Sequence, residues 1–194
     1  MALTLTSELD AVNIMLGTIG ESPISSLDAS TGVADAVIAR QVLSEVAIQV
    51  QEEGWHFNVD TNFTLTPSSD TGEIFLPANC LEVDTSGPDA QMDVAMRGRK
   101  LYDRVNHTFV FTKSIKAELV LMLEFDELPQ AARHYITIRA ARVFQQRVVG
   151  SDTLGAFTER DEVRARTALK RFEAKTADYN ILTSNYSVMR VLDR

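Results

Sequence analysis

Catalysis and metal binding need titratable or nucleophilic side chains in convergent sets, and this chain offers few. Asp70-Thr71-Gly72 matches the short aspartic-protease triplet, whose chemistry needs two carboxylates sharing a proton, each presented after an apolar strand. Here Ser68-Ser69 and Glu73 flank it, so a polar β-turn is expected. His56, His107 and His134 stand at no helical metal-ligand spacing, and each is expected to be structural. Cys80 is the one cysteine, which excludes an intrachain disulfide and a Cys-rich zinc site. With no cationic neighbour or base predicted beside it, it is expected to be a small buried hydrophobe. Asp126-Glu127 offers an acid pair, but its place before Pro129 suits negative charge at the N-terminus of a helix. Neither a phosphate-binding glycine loop nor a G-x-S-x-G elbow is present. No catalytic, cofactor-binding or metal residue is assigned, and no cofactor is expected.

Two arginines stand apart. On a helical wheel Arg139 and Arg147 both fall near an apolar face, with Val143 between them. A charge there is costly unless paired. Either each pairs with a carboxylate of a neighbouring helix of the same chain, or each reaches another subunit, where arginine is the favoured interface cation.

The elements that must carry these residues read as two helices, a β region and two more helices. Ser7 caps the first helix, with Asp10 as its capping-box partner. Leu9, Val12, Leu16 and Ile19 repeat at helical spacing, and Gly20 and Pro23 close the helix. The second runs from about Val33 to Glu53. Ile38, Val42, Val46 and Val50 form one apolar row and Ala39, Leu43 and Ala47 the next, with Gln41, Glu45, Gln49 and Glu52 opposite, facing water or another subunit. From Trp55 to Phe125 the period changes to two, and turn signals divide five to seven short, largely antiparallel strands. Gly98 to Phe111 reads as a hairpin with Asn106-His107 at its tip. The third helix follows Pro129, with Ala132, Ile136, Ala140, Val143, Phe144 and Val148 on its apolar face and Gly150 as its stop. The fourth is expected to start at Thr158, boxed by Asp161. Its seam runs through Ala165, Leu169, Phe172, Thr176 and Tyr179. Arg160, Arg164, Arg166, Lys170 and Arg171 alternate with Glu159, Asp161 and Glu162, a solvated or inter-subunit face.

The expected class is α+β. A four-helix bundle (residues 1–54 and 126–179) carries an inserted, mostly antiparallel β lobe (55–125) and a C-terminal interaction tail (180–194). That tail is too apolar for a free disordered segment.

The 194 residues carry a formal charge of −8, unevenly placed. Residues 1–100 hold 4 Lys/Arg against 15 Asp/Glu, and residues 101–194 hold 15 against 12. That excludes a uniformly basic nucleic-acid binder and suggests two faces with different partners. No apolar run is long enough to span a membrane, and Met1 to Thr6 lacks the basic start of a signal peptide, so no membrane anchor is expected.

An ordered set of residues adds a resemblance. Ala11-Val12-Asn13, Ile19-Gly20-Glu21-Ser22-Pro23-Ile24 and Leu27-Asp28 come first. Ala34-Asp35-Ala36, Ala39-Arg40, Leu43, Gln51 and Gly54-Trp55-x-Phe57-Asn58 follow. Later come Phe125-Asp126-Glu127-Leu128-Pro129, Tyr135-Ile136, Ala141-Arg142-x-Phe144-Gln145-x-Arg147 and Gly150. In this order they resemble the tail tubular protein A family of short-tailed bacteriophages.

The resemblance implies a structural virion protein, not an enzyme. It implies a homo-oligomeric ring, typically of twelve copies, that joins head to tail between the portal protein and the tail nozzle protein. It further implies roles in tail assembly, DNA retention and DNA ejection, and attachment sites for tail fibres. Double-stranded DNA would pass through the lumen without sequence-specific binding. The place would be the neck region of the virion tail, assembled in the host cytoplasm. The rival functions are a phage-associated hydrolase of cell-surface polymer and a neck connector of another phage type. For a ring, the expected subunit or portal contacts are Arg139, Arg147, Ile181, Leu182, Tyr186, Met189 and Leu192. The acidic half suits the conduit wall, with Glu45, Glu52 and Asp89 expected to line it.

Overall fold

The computed structural model describes residues 5–28, 34–150 and 152–176, with side chains throughout except at 152–158. It is α+β, with four helices and two small antiparallel sheets. The helices are α1 (Glu8–Thr18), α2 (Ala34–Gln51), α3 (Gln130–Val148) and α4 (Asp152–Thr176). The strands are β1 (Val59–Leu65), β2 (Cys80–Thr85), β3 (Val94–Arg97), β4 (Lys100–Asp103) and β5 (Ile115–Leu121).

Local rules set most boundaries. The capping box at α1 is formed: the Asp10 amide donates to Ser7 Oγ at 3.2 Å and the Ser7 amide to Asp10 Oδ2 at 3.0 Å. The Ser7 amide, and the Ser7 hydroxyl at 2.7 Å, donate to the Asp10 carboxylate and hold it below the usual range. Pro129 is the N-cap of α3, and Gly150 turns the chain out of it at φ +66°.

The expected start of the fourth helix is corrected. α4 begins at Asp152, so Thr158 lies inside it and not at its cap. A Ser/Thr with an acid three residues on is a cap signal only where the chain is not already helical.

α3 packs against α1, α2 and α4, and α1 packs against α2. One buried cluster draws on all four helices, among them Met15, Leu16, Leu43, Val46, Tyr135, Phe144 and Leu169, and takes in Trp55 and Leu128. Ile38 and Val148, expected on apolar faces, are exposed, because their stripes are wider than the neighbouring helices cover.

In the β region the three-stranded sheet has the order β1-β5-β2, with β5 central. Leu65, Ile74, Leu76, Val83, Leu101, Ile115, Ala117 and Leu119 form its own core. β3 and β4 pair across the two-residue loop Gly98-Arg99. The expected hairpin between Gly98 and Phe111 is present in short form: past β4 the chain turns at Arg104–His107, with Asn106 and His107 in the loop, and returns through one pair, Asp103 with Thr108. Asp103 forces that turn by accepting from the Val105 and Asn106 amides and from Asn106 Nδ2, at 2.8–2.9 Å.

Candidate functional site

Most of the residues that could do chemistry are engaged in structure. Ser68 to Glu73 form a turn in which the Ser68 amide donates to the Glu73 carbonyl and the Gly72 amide to that of Ser68, both at 2.9 Å. Asp70 is an exposed turn residue there, as expected. Cys80 is half-buried, which raises its thiol pKa, and its Sγ lies 3.3 Å from the Glu82 carbonyl. His107 Nδ1 meets the Tyr102 hydroxyl at 3.4 Å, and the His56 amide donates to Glu173 at 2.8 Å. Among the described residues no group of three His, Cys, Asp or Glu is placed to hold a metal ion. No helix among them is long and apolar enough to cross a membrane.

Asp126 and Glu127 lie in the 3₁₀ turn Phe125–Glu127 just ahead of α3. The first lies 3.4 Å from Arg133, and the second accepts from the Glu124 amide at 3.2 Å.

Arg139 and Arg147 both meet carboxylates of their own chain. Arg147 forks onto Glu45 of α2 with bonds of 2.8 and 2.9 Å, a bidentate fit that only a planar guanidinium makes. Arg139 is central to a larger set: Glu53 lies 3.8 Å away, Glu162 of α4 3.9 Å, and the Tyr135 hydroxyl and Gln49 Oε1 3.3 Å each. Arg142 also pairs with Glu162, and Arg166 of α4 with Glu53 at 2.9 Å. Three arginines and two glutamates thus lace α2, α3 and α4 along one edge.

Ile181, Leu182, Tyr186, Met189 and Leu192 lie outside the described residues, as do Tyr179 and the rest of the expected tail. Of the expected conduit carboxylates, Glu52 is exposed and Glu45 is the partner of Arg147. Asp89, the third of them, is buried in the β region, held by Lys113 Nζ at 2.6 Å and the Lys116 amide at 3.0 Å. The lysine bond, ahead of the amide, keeps its carboxyl ionised below the usual range.

Sequence reasoning missed the joint between helices and lobe. Gln51 is fully buried at the end of α2. Its Nε2 donates to the Leu123 carbonyl at 3.1 Å, and its Oε1 accepts from the Leu123 amide at 2.8 Å. The side chain thus imitates a strand partner just past β5. Asn58 completes the joint, with Nδ2 donating to the Gln51 and Leu121 carbonyls and Oδ1 accepting from the Trp55 amide. The signal was present: stepping four residues on from Ala39, Leu43 and Ala47 lands on Gln51.

Arg133 was missed as well. It is buried, and its guanidinium donates to the carbonyls of Leu128, Thr6 and Asp126. It ties the chain ahead of α1 to the start of α3.

Two open grooves among the described residues flank these helices. One, of about 490 Å³, lies between α1, α2 and residues 122–125, with Glu8, Val37, Ser44, Glu124 and Phe125 on its walls. The other, of about 500 Å³, runs along α4 past Val163, Thr167, Ala168 and Phe172, with Arg164, Arg171 and Lys175 on its rim.

A family model for tail tubular proteins matches residues 9–179, a span that runs from the second residue of α1 to beyond α4 and takes in the five described strands. A relative, tail tubular protein A of Klebsiella phage KP34, is 31% identical over 156 residues, covering 80% of this chain and 81% of the relative. The chain therefore belongs to the tail tubular protein family, structural proteins of the bacteriophage tail.

Proposed function

We propose that the chain is the subunit of a head-to-tail adaptor ring of about twelve copies, seated in the neck of the virion between portal and tail nozzle and assembled in the host cytoplasm. The observation that carries this reading is the family match across the whole set of elements, with a relative named tail tubular protein A. In this reading the helices of residues 1–54 and 126–179 act as one four-helix bundle that builds the ring wall. The 55–125 lobe projects from it, and residues 180–194 dock on a neighbour or on the portal. The exposed edges of Arg139 and Arg147 and the apolar residues Ile181, Leu182, Tyr186, Met189 and Leu192 belong to those contacts. The ring helps retain packaged DNA, passes it at ejection and offers sites to tail fibres.

The carboxylates favour this reading over a polymer hydrolase. A hydrolase needs a carboxyl held above its ordinary range beside an ionised one. The four described carboxyls with a clear shift, Asp10, Glu45, Asp89 and Asp103, are lowered, through a helix cap, two ion pairs and a turn, so none of the four is such an acid.

Electron microscopy and native mass spectrometry of the full chain, alone and with portal protein, test the reading. Rings of about twelve copies, or assembly that depends on the portal, are expected. A monomer that hydrolyses peptidoglycan overturns it. Within that reading, removal of residues 180–194 abolishes ring or portal association while the monomer stays folded. A truncated chain that still assembles refutes the docking role of the tail.

A further inference from the structure

The two grooves differ in a way that pairs them. The α4 groove has a small-residue floor at Thr167 and Ala168, and Val163 beside it is 62% exposed. Its rim is cationic, and among the described residues Arg171 and Lys175 have no ion-pair partner, while Arg164 has only the exposed Asp161. The groove beside α2 lies on the acidic half of the chain. Val37, 59% exposed, and Ser44 line it; Arg40 on the same wall is paired with Glu8 at 2.8 Å, so among the described residues its unpaired negative charge is Glu124, with the exposed Glu127 three residues on.

Helix geometry places the two on opposite flanks of α3. His134 and Ile138 border the α4 helix on the side of its open groove. Arg147, nine residues beyond Ile138, reaches α2. Nine residues at about 100° each bring a helix to its opposite face. A surface and its complement on opposite flanks of one chain cannot meet within that chain. They meet between copies, head to tail, as a heterologous contact requires.

We propose that the basic α4 groove of one copy seats the α1–α2 edge of the next, with Arg164, Arg171 and Lys175 facing the Glu124 and Glu127 side. The occupant is a second copy of this chain. The inference rests on the ring reading and names the surface that closes the ring. Charge complementarity sets the register and keeps like surfaces apart, while Val37 and Val163 supply the apolar contact.

The test blocks each half separately. Ala168→Trp fills the α4 groove and Ser44→Trp fills the other; both positions are exposed, so circular dichroism and thermal melting should match the parent. By native mass spectrometry each variant alone should lose rings and remain monomeric. An equimolar mixture should give heterodimers that grow no further, because one good contact survives in each pair. Separately, Arg171→Glu and Glu124→Lys should each weaken assembly, and the two in one chain should restore it.

If rings of the parent chain form and both tryptophan variants still assemble like it, the contact is wrong while the ring reading stands. Monomers in the mixture also refute the contact, as does assembly of either tryptophan variant by itself. A parent chain that stays monomeric with and without portal overturns the ring reading and the contact together.

Discussion

Replacing Gln51 should loosen the helices from the lobe, by an amount that follows from the structure. Its amide makes two hydrogen bonds to the main chain of Leu123 at 3.1 and 2.8 Å. Each is worth about 1 kcal/mol net, and stranding the Leu123 amide and carbonyl adds roughly 1 kcal/mol more. Gln51→Leu keeps the volume and removes only the polar pairing, so it should cost about 3 kcal/mol. For a domain of this size that lowers Tm by roughly 6–12 °C.

The one tryptophan, Trp55, sits beside the joint with its indole nitrogen 2.7 Å from the Val50 carbonyl. Its fluorescence reports the joint directly, while far-ultraviolet circular dichroism reports the helices. A Gln51→Leu chain melting within about 2 °C of the parent, no more than the smallest shift expected for a single kcal/mol, would refute the pairing argument.

Gln51→Glu sharpens the test. It keeps an acceptor for the Leu123 amide but turns its other oxygen toward a carbonyl. Burial raises the folded-state pKa of such a carboxyl above its unfolded value of about 4.3. Stability is then fully present below that value and is lost as pH rises through the folded pKa. Its Tm should fall between pH 4 and pH 7 more than the parent's does.

Other outcomes follow from single groups. Arg133→Met strands three carbonyls and should cost about 3 kcal/mol, read as faster hydrogen exchange at Ser7–Asp10 and at the start of α3. Gly72→Ala places a methyl 2.9 Å from Val110 Cγ1 at a φ of +69°. It should destabilise by roughly 1–3 kcal/mol in chemical denaturation. The Asp103 carboxyl is held low chiefly by the Asn106 amide and side chain. Its contribution is present above the unfolded pKa and lost as pH falls through the lower folded one; a carbon-detected NMR titration should show its midpoint below the ordinary aspartate value of about 3.9. Arg147→Ala should leave Tm nearly unchanged, since the pair is half-exposed, and a large drop in Tm would contradict that reading.

What the sequence disclosed was local. The capping box at Ser7, the stop at Gly150 and the turn at Asp70-Thr71-Gly72 are written in a few consecutive residues, and the structure has them. The start of α4 was misplaced because Thr158 and Asp161 form a cap pattern inside a helix. The turn at Asn106-His107 was legible too, but that its hairpin stops at the single Asp103–Thr108 pair was not. Gln51 and Arg133 escaped notice for a different reason. A polar residue on an apolar row looks like the row's end until its partners, more than 70 and 120 residues away in sequence, are seen. Arg139 and Arg147 were visible as charges needing partners, but which carboxylates supplied them depended on how α2 and α4 cross α3.

The position of β5 and α3 in the chain has a bearing on biosynthesis. β5 is the central strand of its sheet and α3 touches every other helix, yet they occupy residues 115–148. Neither β1 nor β2 has its sheet neighbour, and α1 and α2 lack their main support, until the ribosome has made this late segment. A fragment ending before residue 115 is left with unpaired strands and open apolar stripes, the kind of surface chaperones and proteases act on. Prematurely terminated chains are thereby denied a native surface, and translation itself screens which copies become competent to assemble.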